Sequence, residues 1–285
     1  MKKTIKFLIA VAIFLLIPFN TSNAEGWNLY NLDISVTIND DGSADITEVR
    51  NMDLNDKTEM YIPIGNLGDS KISNFKVYEA GVDFKDASPW DINLSREEKA
   101  GKFGVVDKGD EVELCWGIGE YGKHTYVVSY HVTNIVKQLN DGQAIYWKFV
   151  NDDINPLPES VSLTIKPADS NKDFSIDNGN KIWAFGYRGN INFSDGKIVA
   201  ISTEAFDRNS KVIVLATFPD GTFNTESKLA KTLLNLENQA KEGSEYNRND
   251  ITDKSGSVVG RVLFSILNFI IPVSFAVFGI KFALD

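Results

Sequence analysis

Apolar and polar residues alternate with a period of two from Leu32 to Phe218, and turn-forming residues interrupt the pattern roughly every ten residues. Such alternation places apolar side chains on one face of a strand and polar side chains on the other. The strands of a doubly wound parallel sheet would be apolar on both faces, so the pattern excludes that fold. It predicts an all-β domain, an antiparallel β-sandwich over residues 27–223.

The first hairpin shows this pattern most clearly. The alternation over residues 32–38 ends at Asn39-Asp40-Asp41-Gly42, which turns the chain, and resumes at Ala44. Asp141-Gly142 and Asp195-Gly196 lie between later pairs of strands, where a turn needs a residue that tolerates positive φ. The two prolines of residues 155–158 cannot lie in a central strand, which leaves open whether the β region is one sub-domain or two.

The period becomes helical after the last strand. An apolar stripe recurs there at three- and four-residue steps: Leu229, Leu233 and Leu236. It predicts an amphipathic stalk helix over residues 225–241, with Thr225 or Ser227 able to cap its start. A helix this short is marginal alone in water, so we expect the stripe to pack on its own β domain, with self-association or a partner protein as the alternatives.

Apolar segments lie at both ends of the chain. Residues 1–24 have a basic start, an apolar run and small residues before Glu25, as in a cleaved signal peptide. Residues Val258 to Leu284 are long enough to cross about 30 Å of bilayer as a transmembrane helix, and a polar juxtamembrane linker, residues 242–257, precedes them. A cleaved leader predicts a single-pass protein of the cell membrane whose bulk is extracytoplasmic. Because the chain stops at Asp285, we expect the natural protein to continue.

The net charge and the cysteine content exclude several classes of function. The 285 residues carry a formal net charge of −10, which repels nucleic acid, so we expect no nucleic-acid partner and look instead to an envelope protein or a wall polymer. Cys115 is the only cysteine, which excludes an intramolecular disulfide. Glu111 and Glu113 share its phase, and their charge would raise the pKa of the thiol and disfavour a reactive thiolate. We expect no cofactor.

No catalytic constellation is recognisable. His124 and His131 lie seven residues apart in one strand, on opposite faces, so they cannot bind one metal ion together. The chain has no Gly-x-Ser-x-Gly motif and no catalytic-cysteine signature. The catalytic residues stay unassigned, and we favour a non-catalytic module that binds a partner or organises the envelope. The alternative is a hydrolase that acts on a wall polymer with paired carboxylates.

A weak calcium pattern lies in the first hairpin. Residues 37–48 place oxygen-bearing side chains at the spacing of an EF-hand loop: Asn39, Asp41, Asp45 and Glu48. Thr37 stands where an aspartate is usual, and strands flank the loop instead of helices, which excludes a true EF-hand. An irregular surface calcium site and simple turn residues that cap their own backbone remain the two interpretations.

The positions of the tryptophans predict whether each ring packs in the core or is exposed. Trp116 and Trp147 share the phase of the apolar face, which predicts core packing. Trp90 lies between a proline and an aspartate in a loop-like stretch, so it is the tryptophan that we expect to be exposed. An exposed indole ring there would be a candidate for binding a partner or a sugar ring.

Four segments give a family resemblance. They are the hairpin Ile34 to Glu48 with its Asp-Gly-Ser-Ala-Asp-Ile-Thr-Glu, the strand Thr125 to Tyr130, the strand Ile145 to Phe149, and the Phe218-Pro219-Asp220-Gly221-Thr222-Phe223 ending. Over about residues 27–283 the chain resembles the bacterial predicted membrane proteins called domain of unknown function 2207. The resemblance implies an exported β domain followed by a membrane segment. It implies no catalytic residues.

Overall fold

The computed structural model describes residues 27–242. The signal peptide predicted at residues 1–24, the transmembrane helix predicted at residues 258–284 and all of the predicted linker after Glu242 lie outside the described residues. Within the described part of the chain, no helix is both long enough and apolar enough to span a bilayer.

The described residues form sixteen strands and two helices. The strands, β1 to β16 in chain order, are Asn28–Ile38, Ala44–Leu54, Glu59–Gly65, Ile72–Glu79, Val82–Asp83, Lys85–Asp86, Lys102–Asp107, Glu111–Gly117, Gly122–Val132, Val136–Leu139, Gly142–Val150, Pro158–Pro167, Lys181–Phe185, Gly189–Ser194, Lys197–Ser202 and Val212–Phe218. The helices are α1, Arg96–Lys99, and α2, Leu233–Lys241.

Eight strands form a large sheet in the order β14-β15-β12-β1-β2-β9-β4-β5. The predicted hairpin joins β1 to β2 with Ile38 opposite Ala44, and every second residue of β2 is buried. Alternating burial of this kind means that one face of the sheet contacts the core and the other contacts water.

The remaining strands form two small sheets. The first small sheet has the order β3-β8-β7-β6, and the second small sheet has the order β10-β11-β16-β13. Trp116 of β8 contacts Tyr126 of β9 with ring centroids 5.7 Å apart, and Phe75 of β4 contacts Phe103 of β7 at 5.1 Å. These contacts pack the first small sheet against the large sheet.

Buried side chains from all three sheets belong to one continuous core cluster. The core therefore continues across the connection of residues 151–157, which carries the chain from the second small sheet to the large sheet. Pro158 is the first residue of β12, between β15 and β1, so the expectation that neither proline lies in a central strand is wrong for Pro158. The prolines mark a crossover between layers and not a boundary between two sub-domains.

Two of the three sheets are mixed, which corrects the expectation of a purely antiparallel fold. β1 pairs with β12 in parallel, with Leu32 beside Val161, and β6 pairs with β7 in parallel. A tight hairpin forces neighbouring strands to be antiparallel, whereas a long crossover does not. Residues 39–157 separate β1 from β12, so no hairpin fixes the direction of β12.

The C-terminal helix is shorter than predicted. The periodicity assigned residues 225–232 to the helix, yet α2 begins at Leu233. Its N-cap is Thr232, whose hydroxyl accepts a hydrogen bond from the backbone N–H of Asn235 at 3.2 Å, so Thr225 and Ser227 are not the caps.

Residues 223–231, here called the strap, run beside the outer strand of the second small sheet. The backbone N–H of Gln138 donates to the carbonyl of Ser227 at 2.7 Å, and the N–H of Leu229 donates to the carbonyl of Gln138 at 2.9 Å. Backbone groups of an edge strand need partners, and the strap supplies them to β10. Leu229 therefore lies in the strap and not in a helical stripe.

The start of α2 is fixed to the β10–β11 turn. The backbone N–H of Leu233 donates to the carboxylate of Asp141 at 2.7 Å. A Cβ placed on Gly142 would lie 2.9 Å from the Leu233 side chain, so this leucine packs directly on the turn. Leu236 is buried. The contact of Leu233 agrees with the expectation that the stripe lies on its own β domain.

Candidate functional site

A cleft lies where the two small sheets meet over the large sheet. β3 forms one wall, the second half of β11 and the loop after it form the other wall, and side chains from β2 and β9 form the floor. β3 is the outer strand of its sheet, and β10 pairs only with the first part of β11, so both walls present strand edges that lack a neighbour along the cleft. The lining residues are Arg50, Tyr61, Ile62, Pro63, Ile64, Tyr130, Trp147, Lys148, Phe149, Val150, Asn151, Asp153, Ile154 and Asn155.

A buried polar cluster lies at the floor, where Arg50 and Tyr130 line the cleft and Glu48 lies behind them. Glu48 and Arg50 occupy inward positions of β2, between the apolar Ile46 and Met52. Arg50 Nε and Nη2 donate to Glu48 Oε2 at 3.0 and 2.7 Å, and the hydroxyl of Tyr130 donates to Glu48 Oε1 at 2.9 Å. Glu48, Arg50 and Tyr130 are 1%, 4% and 5% exposed. Both carboxylate oxygens of Glu48 are therefore engaged, and we call these three residues the floor triad.

Burial governs the electrostatics of the triad. Burial, followed by the charge of Glu48, raises the pKa of Tyr130 well above its ordinary value of 10.0, so the phenol stays a hydrogen-bond donor. A buried ion pair costs desolvation that its attraction barely repays, and apolar residues of similar volume would often stabilise the fold as well. The presence of the triad therefore calls for a reason other than stability.

One end of the Arg50 guanidinium is unused by the protein. Nε and Nη2 donate to Glu48, the guanidinium carbon lies 5.7 Å from the centroid of the Trp116 ring, and Nη1 has no acceptor among the described residues. Because Arg50 lines the cleft, Nη1 is the part of the guanidinium that a bound group would meet. Guanidinium donors hold oxygen acceptors with well-defined geometry.

The cleft is small, and aromatic side chains take part in its lining. The cavity has a volume of about 30 Å³, which is room for about two water molecules. Tyr61, 46% exposed, and the half-buried Trp147 flank its mouth. Asn151 Nδ2 donates to the carbonyl of Pro63 and joins the two walls at one end.

The four calcium candidates are not brought together. Asn39, Asp41 and Asp45 lie at the β1–β2 turn, whereas Glu48 lies in the floor triad, because Asp45 is on the outward phase of β2 and Glu48 on the inward phase. Among residues 27–242 the structure shows no group of three or more His, Cys, Asp or Glu side chains placed to hold a metal ion.

The turn carboxylates are engaged in local hydrogen bonds instead. Asp41 accepts from the backbone N–H of Ser43 at 2.9 Å and from its hydroxyl at 2.6 Å, and this side-chain hydrogen bond lowers the pKa of Asp41. The hydrogen bond with His131 lowers the pKa of Asp45. Asp41 thus behaves as a turn residue that caps its own backbone, whereas Asp45 bonds to a side chain of the neighbouring strand β9.

Trp90 is buried, which corrects the expectation of an exposed ring. Only 8% of it is exposed. Its indole Nε1 donates to Glu59 Oε2 at 2.5 Å, and the same oxygen lies 3.0 Å from Lys99 Nζ. A Cβ on Gly104 would lie 3.0 Å from the indole, so the loop folds closely over β7 and the Trp90 ring is not available to a partner.

The histidines and the cysteine lie as the phase predicted. His124 points inward and stacks on Tyr126, whereas His131 points outward toward Asp45, which confirms that they lie on opposite faces. The pKa of Cys115 is raised to about 12, chiefly by burial and next by the charge of Glu59. The raised pKa was predicted, but burial and not the acidic neighbours is its main cause.

Sequence reasoning missed Arg50 and Tyr130. A signal for them was present, because Glu48 and Arg50 are consecutive charged residues on the apolar phase of an otherwise regular strand. Charged residues in such positions are almost always paired. Their partner Tyr130 lies on β9, and the sequence gives no spacing that links the two strands.

One family matches most of the chain. The family described as "Predicted membrane protein (DUF2207) N-terminal domain" matches residues 28–218. No curated protein matches the chain.

Solved structures are similar only at a distance. Leukotriene A4 hydrolase from Saccharomyces cerevisiae is 7% identical with a TM-score of 0.40, over 69% of this chain and 30% of the hydrolase. The M1 zinc metallopeptidase from Deinococcus radiodurans is 11% identical with a TM-score of 0.32, over 67% of this chain and 42% of the peptidase. This chain thus spans less than half the length of these proteins, and the similarity carries no argument about activity.

Proposed function

The chain belongs to the DUF2207 family of predicted membrane proteins, and from that premise we propose that it is a membrane-anchored, extracytoplasmic β-sandwich module that binds a partner in the envelope without catalysing a reaction. The leader at residues 1–24 and the apolar segment at residues 258–284 support the anchoring and the sidedness. The bound partner is an envelope protein or a wall polymer, and the cleft is its binding site.

The state of the floor triad supports binding over catalysis. A general acid or base must exchange a proton with the substrate, and it must be within hydrogen-bond reach of it. Both oxygens of Glu48 already accept hydrogen bonds from Arg50 and Tyr130, so this carboxylate holds its neighbours in place. Arg50 in turn has donors left for a guest. The arrangement is suited to holding a group and not to transferring a proton.

The hydrolase alternative has less support in the cleft. Glycoside hydrolysis commonly uses two carboxyl groups, about 5 to 10 Å apart, on either side of the bond that is cut. Among the residues that line the cleft, Asp153 alone carries a carboxylate. A cavity of about 30 Å³ also does not enclose a sugar ring.

A topology experiment tests the anchoring. Protease added to intact cells should cut the β domain of the full chain, and the same fragments should appear after lysis. Protection of the β domain in intact cells would contradict the extracytoplasmic placement.

An experiment with isolated envelope tests the binding. The full chain in detergent should sediment with isolated wall polymer, and incubation should release no soluble fragments. Release of fragments that disappears in Asp153→Asn or Glu48→Gln, with both variants still folded, would favour the hydrolase. Absence of both sedimentation and release would contradict any role in wall-polymer binding and leave an envelope protein as the partner to be tested.

A further inference from the structure

Arg50 and Tyr130 both line the cleft and offer opposite kinds of hydrogen bond. Arg50 Nη1 can only donate, whereas the oxygen of Tyr130 donates its proton to Glu48 and keeps a lone pair that can accept. A ligand group that both accepts and donates a hydrogen bond satisfies Arg50 and Tyr130 together. A primary or secondary amide does this, with its carbonyl toward Arg50 and its N–H toward an acceptor.

The charges around the cleft do not favour binding of an anionic ligand. Arg50 is neutralised by Glu48, and Lys148 lies 3.4 Å from Asp152, which also pairs with Lys211 at 3.2 Å. The exposed Asp153 leaves a negative charge near the mouth. An uncharged guest avoids repulsion by Asp153 and loses less solvation than an anion.

The size and the walls of the base restrict the guest further. Ile62, Ile64 and Val150 are buried apolar side chains of the lining. A cavity of about 30 Å³ admits a group of a few heavy atoms, such as the acetyl end of an acetamido group, and it does not enclose a whole sugar ring. An acetamido group fits the hydrogen-bonding groups, the charge of the cleft and its apolar walls.

The rim indicates what carries this group. Tyr61 and Trp147 present aromatic rings, and Asn155 and Asp153 present planar polar groups at the mouth. Aromatic faces pack on the apolar face of a sugar ring, and planar amide and carboxylate groups bind its hydroxyls. We propose that the cleft binds an N-acetylated amino sugar of an envelope glycan, with the acetamido group seated on Arg50. This inference rests on the proposed binding function.

Matched oligosaccharides test the inference. The full chain, held in a detergent without a sugar headgroup, is titrated calorimetrically with the N-acetylated glucosamine trimer, with its deacetylated form and with the glucose trimer of the same linkage. The acetylated trimer should bind about tenfold or more tightly than both others, because hydrogen bonds to a charged donor are worth a factor of this order.

Three variants locate the binding site. Arg50→Lys keeps a charge beside Glu48 but removes the second arm of the guanidinium, and it should weaken the acetylated trimer about tenfold. Trp147→Ala should also weaken it. Tyr146→Ala is the matched control, since Tyr146 is the neighbouring aromatic residue, is 38% exposed and does not line the cleft, and it should bind normally. Thermal melting checks that each variant is folded.

The outcomes separate this inference from the proposed function. Equal affinity for the glucose trimer, unchanged affinity in folded Arg50→Lys or Trp147→Ala, or equal affinity for an acetylated peptide would overturn the amino-sugar assignment. No binding of the acetylated trimer by a chain that still sediments with envelope would overturn the assignment and leave the binding function standing. A chain that neither binds the trimer nor sediments with envelope contradicts both.

Discussion

Replacing Glu48 or Arg50 alone should lower the stability of the fold far more than replacing both. Glu48→Leu leaves the Arg50 guanidinium buried without its carboxylate, and Arg50→Met leaves the Glu48 carboxylate without its guanidinium. Breaking a buried ion pair from one side costs about 3–5 kcal/mol. In a domain of this size 1 kcal/mol shifts the melting temperature by about 2–4 °C, so each single variant should melt about 6–20 °C lower.

The double variant Glu48→Leu with Arg50→Met should recover most of this loss. Replacing a whole buried ion pair by apolar residues is often neutral or stabilising by about 1–4 kcal/mol. The hydroxyl of Tyr130 would then have lost its acceptor, at a cost of about 1–3 kcal/mol, so adding Tyr130→Phe should raise the stability of the double variant further. The expected coupling energy between Glu48 and Arg50 is therefore several kcal/mol.

The assay is thermal and denaturant unfolding of the full chain in detergent, followed by near-ultraviolet circular dichroism. Arg188 and Glu204 provide a matched control, because they also form an ion pair, at 3.4 Å, but both are exposed. Glu204→Leu should change the free energy of unfolding by less than about 1 kcal/mol. If the double variant of Glu48 and Arg50 is as unstable as the sum of the two single variants, the ion pair is not coupled and the reasoning about its burial fails.

Three further results are expected. The hydrogen bond with Glu79 raises the pKa of His124 above 6.5, so the charge of His124 stabilises the fold fully below about pH 6.5. This stabilisation is lost as the pH rises through the raised pKa. His124→Gln should flatten this part of a plot of melting temperature against pH, and an unchanged plot would contradict the assignment. Leu233→Ser with Leu236→Ser should lower the melting temperature without changing the mass in solution, whereas unchanged stability with dissociation of a dimer would make the stripe an interface. Cys115, buried and with a pKa of about 12, should react with a thiol reagent only in denaturant, and fast labelling of the native chain would refute this.

The sequence predicted the elements of the fold more reliably than their arrangement. The period of two and the turn residues located the hairpin of β1 and β2 because both signals are local. The parallel pairing of β1 with β12 joins strands that are separated by residues 39–157, and no local signal carries that information. For the same reason, the cleft could not be predicted, since its walls come from two different sheets.

The two errors of site prediction have different physical causes. Trp90 was expected to be exposed because its neighbours are polar or turn-forming, but tertiary packing over Gly104 buries it. Glu48 was grouped with Asn39 and Asp41 by spacing, whereas the pleat of β2 turns its side chain to the opposite side from the outward-facing residues of the hairpin. Spacing along the chain predicts proximity only when the local structure is known.

The strap shows how an unpaired strand edge can override helical periodicity. The helical spacing of Leu229, Leu233 and Leu236 extended the predicted helix back to residue 225, but a helix of this length gains little in water. β10 has an open edge, and residues 225–231 satisfy its backbone groups while Thr225 Oγ1 donates to the carbonyl of Val136 at 2.8 Å. Those hydrogen bonds are available only after the second small sheet has formed. The helix therefore starts at Leu233, the first residue whose N–H is held by the Asp141 carboxylate beyond the end of that edge.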